Sequence, residues 1–114
     1  MDVIVWHNPK CATSRKVVEM IRRRGIEPVL IDYVKTSPSR AEIKAALKAM
    51  GLKPRDLLRQ RGTPYEALGL DQARSDTELI AAMAEHPLLI ERPVVRTPKG
   101  TRLCRPPERV AEIL

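Results

Sequence analysis

The sequence is poor in aromatic residues. Phe is absent, Trp occurs once and Tyr twice, so aromatics make up 3% of the 114 residues. A protein that stacks the bases of single-stranded nucleic acid needs clustered aromatic side chains. Such a platform is therefore excluded, and the hydrophobic core has to be built from aliphatic side chains.

Cysteine and long apolar runs are scarce as well. Cys11 and Cys104 are the two cysteines, and their separation matches no disulfide framework and no zinc motif. No apolar run approaches the roughly 18 residues of a membrane span, and no signal peptide precedes the first apolar segment. We therefore expect a cytoplasmic protein with reduced cysteines, no metal site and no membrane association.

What is present describes a globular chain with an excess of positive charge. Hydrophobic residues make up 43%, charged residues make up 31%, and the net charge is +7. This length predicts a single domain over residues 1–114, which can bury one core without disulfides or metals. The charge attracts anionic partners, but it does not distinguish small oxyanions from nucleic acid.

The apolar pattern predicts an α/β fold. Residues 3–6 are typical of a buried strand, residues 16–21 place apolar side chains on one helix face, and residues 29–33 are again typical of a strand. A strand–helix–strand order predicts parallel pairing. A turn at residues 98–100 predicts a β-hairpin, and Pro106 with Pro107 begins a last helix that reaches Leu114.

A helical segment separates these two parts of the chain. Capping boxes of Ser39 with Glu42 and of Ser75 with Glu78 each predict a helix start. Three helices are predicted, over residues 40–50, 54–61 and 76–86. The order is consistent with a thioredoxin-like core over about 1–36 and 87–114 that carries a helical insertion over about 37–86.

The loop that joins the first strand to the first helix carries Cys11. A helix N-terminus offers free backbone N–H groups and the positive end of the macrodipole, and both favour a thiolate. The same N–H groups can bind an oxyanion, and Thr13, Ser14 and Arg15 add two hydroxyls and a cation. The loop predicts a nucleophile beside an anion cradle. The alternative is a structural cysteine with Thr13 as the helix N-cap.

The neighbours of Cys11 suggest supporting roles. His7 can stabilise the thiolate as a charged neighbour or fix the loop through its ring, and both roles stay open. Asn8 and Ser14 are further candidates for supporting the thiolate. Cys104 lies on the last predicted strand, and we expect it to be buried and dispensable.

The loop also resembles a known family. The pattern His7-Asn8-Pro9-x-Cys11-x-Thr13-Ser14-Arg15 is similar to the active-site loop of glutaredoxin-coupled arsenate reductases. The likeness covers nearly the whole chain and continues, in order, through Tyr65-Glu66-x-Leu68-Gly69-Leu70, His86-Pro87, Arg92-Pro93 and Gly100-Thr101-Arg102-Leu103-Cys104-Arg105-Pro106. Ala12 departs from the pattern, since many members carry Gly there. Longer members also continue past the position of Leu114 with a tail.

The resemblance implies a thioredoxin-like fold and a function. The function is reduction of arsenate to arsenite through a Cys11 adduct that glutathione and glutaredoxin resolve, with no bound cofactor. The resemblance maps three functional arginines onto Arg59, Arg92 and Arg105, and a cis proline facing the loop onto Pro93. We expect a monomer.

Position 14 bears on how the adduct is resolved. Cys11 and Ser14 form a C-x-x-S arrangement, and Ser14 cannot form the disulfide of a C-x-x-C pair. A sulfur intermediate on Cys11 therefore has to be resolved by another molecule.

Three other functions stay open. A related glutathione-dependent thiol reductase would keep the loop and act on another substrate. A redox-sensing regulator of the Spx type would bind RNA polymerase, although such proteins often carry C-x-x-C. Nucleic-acid binding through the net charge is disfavoured because the chain has no basic tract and no recognised motif.

Overall fold

One mixed β-sheet organises the computed structural model, which describes residues 2–72 and 74–114. Its strands are β1 (Ile4–His7), β2 (Val29–Asp32), β3 (Val94–Thr97) and β4 (Gly100–Leu103). Their spatial order is β2-β1-β3-β4, with β1 parallel to β2 and antiparallel to β3, and β3 antiparallel to β4. The predicted βαβ unit and β-hairpin are therefore confirmed, and with them the thioredoxin-like topology.

Helix α1 (Ala12–Arg23) connects the two parallel strands. Its N-cap residue is Cys11, and it buries Val17, Val18 and Ile21 on one side. These positions are one, three or four residues apart, which is the spacing of a helix face that packs on a sheet. Burial of this face packs α1 into the core of the protein.

The core beside α1 is aliphatic, as the composition requires. Its buried members come from β1 and the residue before it, from α1, from β3 and from the C-terminal part of the chain: Val3, Val5, Val17, Val18, Ile21, Val95, Cys104, Val110 and Ile113. A fully buried Val or Ile side chain contributes about 1.5–3 kcal/mol to stability. This cluster therefore holds the strand–loop–helix junction in place.

The last helix differs from the prediction. Pro107–Ile113 is a 3-10 helix that buries Val110 and Ile113. These two residues are three positions apart, which matches the three residues per turn of a 3-10 helix. The tighter helix therefore turns both side chains toward the core.

A second set of helices lies between β2 and β3 in the chain. They are α2 (Arg40–Met50), α3 (Pro54–Leu57) and α4 (Asp76–Glu85). Both predicted capping boxes are present: Ser39 and Ser75 accept hydrogen bonds from the N–H groups of Glu42 and Glu78, whose carboxylates accept in return. Helix α2 ends at Gly51, whose φ of 68° is the left-handed conformation that favours glycine.

The prediction of a helix over 54–61 is wrong beyond Leu57. Leu58 forms an antiparallel bridge with Ile90. The Arg59 N–H donates to the Leu89 carbonyl at 2.7 Å, and the Glu91 N–H donates to the Leu57 carbonyl at 2.8 Å. These strand-like bonds to a distant segment replace the helical ones, so Arg59 does not lie on a helix.

The chain separates into two compact units. The core unit comprises the described residues up to Thr36 and Arg92–Leu114, and the helical unit comprises Ser37–Glu91. The proposed division into a core and an insertion remains a prediction about domain organisation. No helix in the described part of the chain combines the length and apolar character needed to cross a membrane.

Candidate active site

Cys11 lies at the junction of β1 and α1. It is the N-cap of the helix, with extended backbone angles (φ −93°, ψ 121°), and its thiol is free and partly exposed. The Cys11 N–H donates to the Asn8 carbonyl at 3.0 Å, and the Cys11 carbonyl accepts from the Arg15 N–H at 3.0 Å. Thr13, the alternative N-cap, lies inside the helix.

The environment of the sulfur favours the thiolate. Partial burial alone would raise the pKa of Cys11. The Ser14 N–H, the hydrogen bond and charge of Arg92, and the Thr13 N–H outweigh it, so the pKa lies below its ordinary value. The helix N-terminus and one guanidinium therefore supply the stabilisation that a reactive cysteine requires.

Two of the three predicted arginines lie at this sulfur. Val94 of β3 is in register with Trp6 of β1, so Arg92, which precedes the cis peptide bond to Pro93, lies beside the loop that follows β1. Arg105 Nη1 donates to the Arg92 carbonyl at 3.1 Å and lies 3.9 Å from Cys11 Sγ. The pKa of Cys11 is lowered by the Ser14 N–H, Arg92 and the Thr13 N–H. The contact with Arg105 is long and exposed, so of the two arginines we assign the effect to Arg92.

Ser14 is buried, and its hydroxyl binds within the loop. The Asn8 N–H donates to Ser14 Oγ at 3.1 Å, and His7 Nδ1 lies 2.6 Å from the same oxygen. Burial lowers the pKa of His7, so a neutral ring can accept the Ser14 proton at Nδ1. Of the two roles considered for His7, this geometry supports loop positioning. Ser14 reaches Cys11 through its backbone N–H.

Tyr33 is a residue of this region to which sequence reasoning assigned no role. It is fully buried, and its phenol oxygen accepts hydrogen bonds from the side chains of Asn8 and Arg92. Tyr33 follows Asp32, which is in register with His7, the residue before Asn8. Its place after the second parallel strand, at the sheet edge where ligands bind, could have identified it.

Arg15 and Arg59 have other partners. Arg15 Nη1 donates to the Pro9 carbonyl at 2.9 Å. In the helical unit, Arg59 Nη1 is paired with a Glu91 carboxylate oxygen at 2.8 Å, with 19% and 21% of the two side chains exposed. Their roles in oxyanion binding remain predictions.

Cys104 lies in a different environment from Cys11. It is fully buried in the core, and burial raises its pKa to about 12. The thiol is therefore protonated at neutral pH, and its placement supports the expectation of a structural cysteine.

The arrangement around Cys11 suits an anionic electrophile. It combines a thiol of lowered pKa with two backbone N–H groups and two guanidinium groups, Arg92 and Arg105. Guanidinium groups can bind two oxygens of one oxyanion, which compensates for bringing two negative charges together. Among the described residues, no group of three or more His, Cys, Asp or Glu is placed to hold a metal ion.

Comparisons with known proteins show which family the chain resembles. The chain is 55% identical to an arsenate reductase of Rhizobium meliloti, over 100% of this chain and 82% of that protein. It is 50% identical to an arsenate reductase of Escherichia coli K12, over 99% of this chain and 81% of that protein.

A solved structure and a family model are similar to this chain over nearly its whole length. The structure of an arsenate reductase from Vibrio cholerae superposes with a TM-score of 0.96 at 45% identity, covering 100% of this chain and 98% of that one. A sequence model of the ArsC family matches residues 6–113. The chain therefore belongs to the ArsC family.

Proposed function

We propose that this chain is an arsenate reductase that uses Cys11 as its nucleophile and glutathione with glutaredoxin as its reductants. The observation that carries the proposal is the place of Cys11 at the N-cap of α1, where the Ser14 N–H and Arg92 lower the pKa of its thiol. Relatives that match over almost the whole chain are named arsenate reductases, which supports arsenate as the oxyanion.

The first step forms a sulfur–arsenic bond. The Cys11 thiolate attacks arsenate, and an As–O bond breaks with loss of one oxygen as hydroxide, which leaves as water after taking up a proton. The Ser14 and Thr13 N–H groups and Arg92 stabilise the negative charge that collects at this point. Arg105 is a second cation within reach, and Arg59 is the third arginine that the resemblance assigns to the substrate.

The next steps reduce arsenic from the +5 to the +3 state. The glutathione thiolate attacks the arsenic of the Cys11 adduct, and an As–O bond breaks with loss of the oxygen as water. A glutaredoxin thiolate then attacks the glutathione sulfur, which forms the mixed disulfide, and the As–S bond to glutathione breaks with its electron pair left on arsenic. Two thiols thereby become one disulfide, which supplies the two electrons. Water then displaces the Cys11 sulfur from arsenic, so that arsenite leaves and Cys11 returns as a thiolate. This requires a compartment that contains reduced glutathione, such as the cytoplasm.

The need for an external thiol follows from the two candidate internal partners. Ser14 replaces the second cysteine of a C-x-x-C pair, and the thiol of Cys104 is buried with a pKa of about 12. Neither can form a disulfide with Cys11 during turnover. Since all the proposed residues belong to one chain, the reaction needs no second copy of it.

The test is a coupled assay with matched cysteine variants. Arsenate-dependent oxidation of NADPH is followed through glutathione reductase, glutathione and glutaredoxin. We expect activity in the wild type, none in Cys11→Ser and most of the wild-type rate in Cys104→Ser. Activity that survives Cys11→Ser, or robust turnover with thioredoxin in place of glutathione and glutaredoxin, would contradict the proposal.

A further inference from the structure

We infer that Tyr33 is a positioning residue of the Cys11 site, whose phenol oxygen holds the Arg92 guanidinium beside the thiolate. The inference deepens the proposed function and rests on it only where arsenate kinetics are used as a readout. The state of the Cys11 thiol itself can be measured without any substrate.

The position of Tyr33 is determined by the sheet. Strands β1 and β2 are parallel and end in register at His7 and Asp32. The next residues, Asn8 and Tyr33, therefore lie at the same edge of the sheet. The Asn8 carbonyl accepts the Cys11 N–H at 3.0 Å, so Tyr33 lies next to the backbone that presents the nucleophile.

The turn after β2 keeps Tyr33 in this place. Asp32 Oδ1 accepts hydrogen bonds from the N–H groups of Val34 and Lys35, both at 3.2 Å. The Asp32 carbonyl accepts from the Thr36 N–H at 2.9 Å. An aspartate that bonds the backbone two and three residues ahead stabilises a turn. The turn therefore fixes the backbone from which the fully buried Tyr33 ring extends.

The phenol oxygen joins the two sides of the site. Asn8 donates to it from the loop, and Arg92 donates to it from the segment before β3. Asn8 is itself held, because its Oδ1 accepts the Lys10 N–H at 3.0 Å. A guanidinium has five N–H donors, so Arg92 can bond Tyr33 and Cys11 together.

This contact explains why the position carries a hydroxyl. The Tyr33 oxygen accepts from Asn8 and Arg92, whereas Phe would fill the same space but offer these two donors no acceptor. Burial raises the pKa of Tyr33, and the nearby charge of Cys11 raises it further against the opposing influence of Arg92 and Asn8. The phenol is therefore neutral and acts as an acceptor that orients a long, flexible side chain.

The experiment compares two buried tyrosines. Tyr33→Phe removes the oxygen and keeps the ring. Tyr65→Phe is the matched control, since Tyr65 is also buried and its hydroxyl lies 3.3 Å from Arg55 Nη1 in the helical unit. The first readout is the pH dependence of Cys11 alkylation by iodoacetamide, with the modified residue identified by mass spectrometry. The second is kcat/KM for arsenate.

We expect Tyr33→Phe to move the midpoint of Cys11 alkylation upward by about half a unit to one unit. We expect kcat/KM to fall about tenfold, since Arg92 is then less well oriented. Tyr65→Phe should leave both readouts at wild-type values. A Tyr33→Phe protein that is folded by circular dichroism and alkylates as the wild type does overturns the inference.

A double variant tests whether Tyr33 acts through Arg92. If it does, Tyr33→Phe in an Arg92→Ala background should produce no further shift of the alkylation midpoint. Additive shifts would overturn the positioning role. Tyr33→Leu, a second variant without the oxygen, replaces Tyr33→Phe should the latter not fold. If the wild type failed to reduce arsenate, the proposed function would fall while the alkylation results still decided the role of Tyr33.

Discussion

Arg92→Ala tests how the Cys11 thiolate is stabilised. The Arg92 side chain supplies both a hydrogen bond and a positive charge to the sulfur. A hydrogen bond to a charged group contributes roughly 1.5–3 kcal/mol, and one pKa unit corresponds to about 1.4 kcal/mol. Because Cys11 is partly exposed, solvent screening places the effect near the lower end. Loss of Arg92 should therefore raise the pKa of Cys11 by about one unit.

The assay is the rate of iodoacetamide alkylation against pH, followed for the wild type and for two arginine variants. Arg105→Ala is the control, because Arg105 Nη1 lies 3.9 Å from Cys11 Sγ and its contact is exposed. We expect its midpoint to move by less than about half a unit. Arg92→Lys should recover only part of the loss, since it keeps the charge but not the planar, multiple-donor geometry.

Substrate kinetics provide a second measure of the same contact. Arg92→Ala should lower kcat/KM for arsenate about ten- to a hundredfold at neutral pH, since both thiolate and oxyanion lose a partner. A folded Arg92→Ala variant with the alkylation midpoint and the catalytic efficiency of the wild type would refute this account of the site. A larger effect from Arg105→Ala than from Arg92→Ala would refute it as well.

Three further predictions concern Cys104, His7 and Arg55. Cys104→Ser should keep most of the activity but lower the urea midpoint of unfolding, because it puts a hydroxyl into a fully buried core position; an unchanged midpoint would contradict this. Burial lowers the pKa of His7 below 6.5, so the unfolded chain binds a proton that the native state does not. The free energy of unfolding should thus fall as pH drops below about 6.5. The fall should be smaller in His7→Asn, and urea unfolding at several pH values measures both. Arg55 donates to the Leu70 and Gln72 carbonyls at 2.9 and 2.8 Å, so Arg55→Ala should destabilise by about 1.5–3 kcal/mol, against a few tenths for the exposed Arg23→Ala.

Local signals in the sequence were sufficient to place Cys11, the proposed nucleophile, between a strand and a helix. Cys11 was placed at a helix start because an apolar strand precedes it and an apolar helix face follows it within a few residues. The capping boxes at Ser39 and Ser75 were equally local, since each depends on a carboxylate three positions ahead. Such features depend on neighbours in the chain, so they can be recognised in the sequence without knowledge of the fold.

The tertiary structure decided which distant side chains reach Cys11. Arg92 lies at the sulfur because β3 pairs antiparallel with β1, and Tyr33 lies at Asn8 because β2 ends in register with β1. Composition could not separate Arg92 from the other 20 basic residues among the 21 in the chain. Only the resemblance singled it out, and nothing in the sequence reasoning gave Tyr33 a role.

The difference between local signals and distant contacts also explains the helix that was predicted too long. The local pattern favoured a helix through residue 61, but the bridge between Leu58 and Ile90 ended it after Leu57. The sequence by itself determined where helices and strands can start and which cysteine is activated. Which strands pair, where a helix stops against another segment, and which guanidinium faces the thiolate depend on contacts between residues far apart in the chain. Those contacts form only when the whole core packs.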